Sequence, residues 1–76
     1  MKKIGGLSFK DGNIIGIYYD EKAKYNHYRI YSISYARDID GKIFKTKKKL
    51  IEEYADLSSC TEWLNEFARA HYEERR

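Results

Sequence analysis

Proline is absent from this 76-residue sequence, cysteine occurs once and histidine twice. Without proline, and without a Ser/Gly-rich or repetitive tract, nothing marks an internal boundary, so residues 1–76 read as a single small domain. A lone thiol, Cys60, cannot close an internal disulfide and gives no sign of an oxidising compartment. His27 and His71 stand without an HxxxH or CxxC spacing or a carboxylate-rich loop. Neither a metal site nor an activated nucleophile therefore has its partners in sequence. No GxGxxG or Walker-type loop follows the glycines, so no cofactor is expected and the chain reads as non-enzymatic. No stretch approaches the roughly 20 apolar residues of a membrane span. The opening Met1-Lys2-Lys3-Ile4-Gly5-Gly6 has no apolar run of signal-peptide length. The expectation is a cytoplasmic protein with no membrane partner.

Aromatic side chains and charge are what the chain has in quantity. Eight tyrosines, three phenylalanines and one tryptophan bring large buried areas with few rotors to freeze, and they are expected to supply much of the core. With 42% hydrophobic and 36% charged residues, the composition is too apolar for a disordered chain. The net charge of +3 hides a polarity: residues 1–49 hold 12 lysines and arginines against 5 acids, and residues 50–76 hold 3 arginines against 7 acids. The front of the chain is basic and the rear acidic.

The pattern predicts an α+β fold with a three- to four-stranded antiparallel sheet. Two apolar runs around Asp11-Gly12-Asn13 read as a hairpin over 4–20, because Gly and Asn tolerate the positive φ of such turns. Residues 27–37 alternate β-branched and aromatic residues with serines and read as the longest strand. After the turn signal Asp38-Ile39-Asp40-Gly41, a short strand over 42–46 can return at an edge where lysines are tolerated. Leu50, Ile51, Tyr54, Ala55 and Leu57 recur at steps of three and four, which predicts a helix over 47–57. Ser59 with Glu62 fits a capping box that would open a second helix over 60–74. Both helices are expected on one face of the sheet.

Counting by twos assigns the sheet's faces. The set Leu7, Phe9, Ile15, Ile17, Tyr19, Tyr31, Ile33 and Tyr35 is the more apolar, and it is the expected helix-packed face. The other set holds Ile4, Gly6, Ser8, Ile14, Gly16, Tyr18, Tyr28, Ile30, Ser32 and Ser34, a shallow platform left to solvent. Glycines within these strands point to a bulge or to close approach of a neighbouring backbone.

The densest functional signal is Lys42, Lys45, Lys47, Lys48 and Lys49, five cations with no intervening acid. Such a run neutralises phosphates and releases counterions. Tyr18 and Tyr28 on the solvent face, beside Arg29, could stack bases while the lysines hold the backbone. The first expectation is thus a binding module for DNA or RNA using these eight residues, although an RNP, KH or helix-turn-helix signature is lacking. Tyrosines in a small sheet also serve as cross-strand packing partners, and lysines protect edges. The competing expectation is a protein partner or a homodimer that covers Ile4, Ile14, Tyr18, Tyr28 and Ile30.

Overall fold

The computed structural model describes residues 1–72. Four strands, β1 (Lys2–Ser8), β2 (Ile14–Tyr19), β3 (Tyr28–Arg37) and β4 (Ile43–Tyr54), are followed by one helix, α1 (Leu57–Ala70). The sheet is an open antiparallel meander in the order β1-β2-β3-β4, the α+β arrangement that the periodicities predict.

Both tight turns are built as their residue types dictate. Gly12 and Gly41 adopt φ of +91° and +85°, a region closed to most side chains. In each turn an aspartate closes a local ring. Asp11 Oδ1 accepts from the Asn13 N–H at 2.9 Å, and Asp38 Oδ1 accepts from the N–H groups of Asp40 and Lys42, both at 2.9 Å. Such Asx geometry is why aspartate starts turns. The longer connection after β2 is pinned where the Asp20 N–H donates to the His27 carbonyl at 2.8 Å.

The segment expected as a helix over 47–57 is instead the second half of β4, which runs from Ile43 to Tyr54 without a break. Two physical reasons decide this. The ten residues of β3 offer a full row of backbone donors and acceptors, and β4 pairs with them from Arg37↔Ile43 to Tyr28↔Tyr54. A strand ending at Thr46 would leave most of that row unmatched. The register also slips between Ile30 and Tyr31, a bulge that sets two β4 residues against one of β3. The bulge shifts the period-2 phase, so Ile51 and Tyr54, three apart, both reach the covered core. That spacing imitates a helical face.

A single helix follows. Its N-cap is Asp56 rather than Ser59: Asp56 Oδ1 accepts from the Ser59 N–H at 2.8 Å, which places Ser59 in the first turn as the donor. Helix α1 ends at Ala70, with His71 as its C-cap. Positions 73 and 74 of the expected second helix lie outside the described residues.

The core lies between α1 and one face of the sheet, with Phe9, Ile15, Ile17, Ile30 and Cys60 buried and Leu7, Tyr28, Ile51, Tyr54, Trp63, Leu64 and Phe67 packed around them. Phe67 is its aromatic hub. It stands edge-on to Phe9 at 5.8 Å and stacks with Trp63 at 5.1 Å and His71 at 4.2 Å. His71 is half-buried on the ring of Phe67, and Cys60 is a small buried apolar group whose thiol burial pushes upward in pKa. Each takes the structural role most common for its type.

This core corrects the assignment of faces in β3. Cross-strand partners share a face, and Ile17 pairs with Ile30, Tyr19 with Tyr28 and Gly16 with Tyr31. Tyr28 and Ile30, expected in solvent, therefore lie beneath the helix, and Ile30 is fully buried. Tyr31, Ile33 and Tyr35, expected in the core, lie on the open face with Arg29. Alternation holds within β2 and β3; the register between them is what exchanges the faces of β3.

Candidate nucleic-acid interface on the open sheet face

Across the middle of the sheet, the open face carries one row formed by Lys3, Tyr18, Arg29 and Glu53, and another formed by Gly6, Gly16, Tyr31 and Leu50. Glycine makes this surface flat. A Cβ on Gly16 would stand 2.8 Å from Tyr18 Cε2, so the Tyr18 ring lies over bare backbone where any other residue would raise it. Tyr18 meets Tyr31 edge-on, with centroids 5.5 Å apart and planes at 83°. Above both rings sits the Lys48 ammonium, 4.9 Å from the Tyr18 centroid and 4.4 Å from that of Tyr31.

Ile33 pairs with Ile14 on one side and Lys48 on the other. It is only 3% exposed, although the helix lies on the opposite face. Tyr35 follows it along β3, opposite Lys45. The face is thus an aromatic and aliphatic strip, Tyr18, Tyr31, Ile33, Tyr35, with lysines along one side. Burial, and then the proximity of Tyr35, raises the pKa of Tyr18, so its phenol stays neutral and presents an uncharged ring.

The two ends of this strip differ in charge. At one end Arg29 is kept protonated first by a hydrogen bond with Tyr31, with further support from Glu53 and Asp20, and its Nη2 lies 3.8 Å from Glu53 Oε2. That cation is compensated. Toward the other end, Lys48, Lys45, Arg37 and Lys10 have no ion pair among the described residues.

The five lysines of the basic run do not form one surface. Lys45 and Lys48 share the open face with Tyr35 and Ile33, whereas Lys47 and Lys49 pair with Ser34 and Ser32 on the helix side of the sheet. Lys42 belongs to the hairpin tip, its N–H bound to Asp38. Of the expected aromatic groups, Tyr18 is on the open face and Tyr28 is not. Of the expected apolar patch, Ile14 is on it, Ile4 sits in the β1 bulge at the sheet edge at 40% exposure, and Ile30 is in the core.

No family model, curated protein or solved structure matches this chain. Its chemistry is therefore read from the face itself. The sequence pattern does not place Tyr31, Tyr35 or Lys3 on this face, yet a signal for the two tyrosines exists. Arg29 and Arg37 share their parity with Tyr31, Ile33 and Tyr35, and a face that must hold two arginines is disfavoured beneath a helix. Among the described residues, no three His, Cys, Asp or Glu side chains gather as a metal site would need, and no helix is long and apolar enough to cross a membrane.

Proposed function

We propose that this protein is a non-enzymatic binding module for single-stranded nucleic acid, DNA or RNA, which lies along β3 on the open face. The carrying observation is the Lys48 ammonium poised over the Tyr18 and Tyr31 rings. Bases stack on aromatic faces and phosphates seek ammonium groups, and this arrangement supplies both within one side chain's reach. A cation–π contact at an exposed site is worth about 0.5–1 kcal/mol, whereas a base stacked on an aromatic ring is worth about 1–3 kcal/mol. An incoming strand therefore gains by drawing Lys48 off the rings onto a phosphate and laying a base in its place. Lys45 and Lys3 take flanking phosphates. A flat sheet face with recessed tyrosines favours unpaired bases, since a duplex hides its base faces and the helix here packs on the far side.

The test is fluorescence anisotropy with a labelled 12-residue oligodeoxythymidine, its RNA counterpart and a duplex of equal length. Three phosphate contacts on a single strand give a salt slope of about −2 in log K, hence roughly a 40-fold loss between 50 and 300 mM salt. Lys48→Glu and Tyr31→Ala should each weaken binding about tenfold or more, and Lys47→Glu, on the other face, far less. Equal binding by wild type, Lys48→Glu and Tyr31→Ala would refute the reading. So would a salt-insensitive dimer indifferent to oligonucleotide, which would mark the same strip as a contact between protein chains.

A further inference from the structure

The uncompensated end of the strip runs into a depression of about 610 Å³, formed where the two hairpin turns flank the open face. Its apolar lining comes from Ile14, Tyr35 and Ile43, and its polar lining from Lys10, Asp11 and Arg37. The volume falls within the roughly 300–1,000 Å³ of small-ligand sites. Ile43 is 62% exposed, a large apolar side chain left wet on an edge strand beside a tyrosine. The one acid in the lining is already engaged: Asp11 Oδ1 accepts from the Asn13 N–H and Oδ2 from Asn13 Nδ2, both at 2.9 Å. Lys10 and Arg37 have no ion pair among the described residues. The depression is an apolar, aromatic-walled hollow with two free cations in its lining, complementary to a flat ring that carries a phosphate.

Resting on the single-strand reading above, we propose that this depression is the end subsite for the bound strand. It holds one unstacked terminal base against Tyr35 and Ile43, with that nucleotide's phosphate between Lys10 and Arg37. The distances fit one continuous path. Tyr31 and Tyr35 are four residues apart on one strand, about 13 Å, and Arg37 lies about 7 Å beyond. A strand of about four nucleotides therefore spans from the Tyr18–Tyr31 pair into the hollow, at the short end of the site sizes known for small single-strand binders. Bidentate donors suit Arg37 to the last phosphate, where the strand must stop rather than slide.

The test uses the full chain and oligodeoxythymidines of three and six residues, the latter in a series with 5-iododeoxyuridine at each position in turn. Irradiation should link an end-positioned label to Tyr35 and interior labels to Tyr18 or Tyr31, read by mass spectrometry of the digested adduct. In anisotropy, wild type should gain about tenfold in affinity from trimer to hexamer. In the Arg37→Ala/Ile43→Ser double variant that ratio should fall below about threefold. Both positions are exposed, and a circular dichroism melt checks that the variant folds. If the variant keeps the wild-type ratio, or the end label links elsewhere, the subsite is wrong while the platform stands. If wild type binds neither oligonucleotide at 50 mM salt, both readings fall.

Discussion

Two adjacent glycines in β1 should respond in opposite ways to the same added methyl group. A Cβ on Gly6 would lie 2.4 Å from the Ile15 carbonyl oxygen, 3.1 Å from Gly16 Cα and 3.3 Å from the Ile15 carbonyl carbon. All three are backbone atoms of the paired strand. Carbon and oxygen ordinarily stay about 3.3 Å or more apart, so β1 must move roughly 1 Å from β2. Overpacking of that kind costs about 1–3 kcal/mol, and the ladder hydrogen bonds it stretches are worth about 1 kcal/mol each. Gly6→Ala is therefore expected to destabilise by about 3 kcal/mol. Gly5 has nothing within 4 Å of its added Cβ and does not have a positive φ, so Gly5→Ala should be neutral or gain about 0.4–1 kcal/mol by restricting the unfolded chain. At about 4–8 °C per kcal/mol for a domain of this size, Gly6→Ala should melt about 12–24 °C below wild type, with Gly5→Ala level with or slightly above it. Thermal circular dichroism on the pair decides. A Gly6→Ala protein melting within about 3 °C of wild type, or both variants falling together, would refute the close-approach argument.

Ile30 is fully buried at the centre of the core, and Ile30→Ala should cost about 2–5 kcal/mol through lost burial and a residual cavity. Urea denaturation checks this, and a loss under about 1 kcal/mol would deny the assigned register. Hydrogen bonds from Ser59, through its hydroxyl and its N–H, hold the Asp56 carboxyl below the usual carboxylate range. A depressed folded pKa means that the cap's contribution is complete above the unfolded value near 4 and disappears as pH falls through the lower folded value. Asp56→Ala should therefore lower the melting temperature at pH 7, and its difference from wild type should shrink between about pH 5 and pH 2. A gap independent of pH would show that the charge takes no part.

What the sequence revealed and what it concealed divide along physical lines. The turns at Gly12 and Gly41 were legible because positive φ demands particular residues, and the first three strands because alternation is a local property. The β4 strand was misread where a bulge at Ile51 gave a strand the spacing of a helix, reinforced by lysines and glutamates whose propensities favour helix. Tertiary pairing with β3 overrode that preference. The helix start was misplaced by three residues because Asp56 and Ser59 are both good caps, and only the direction of the hydrogen bond separates them. The candidate site inherited the error in β3 parity. Tyr18, Lys45, Lys48 and Arg29 stand on the open face, whereas the sequence pattern places Tyr31 and Tyr35 in the core instead of Tyr28 and Ile30. Register is a relation between strands, so alternation within one strand could not settle it.

The meander leaves β1 and β4 without outer neighbours, and β4 is the longest strand in the molecule. The outward-facing N–H and C=O groups along its free side are a template on which another chain could pair. Lys45, Lys47, Lys48 and Lys49 line that edge, so two copies aligning there would bring ammonium groups together, and the two register slips break the flatness that stacking requires. The charge on Lys45 and Lys48 that would draw a polyanion to the open face would thus also oppose edge-to-edge pairing of two copies. Acetylating these lysines would remove that repulsion and leave the edge open to pairing.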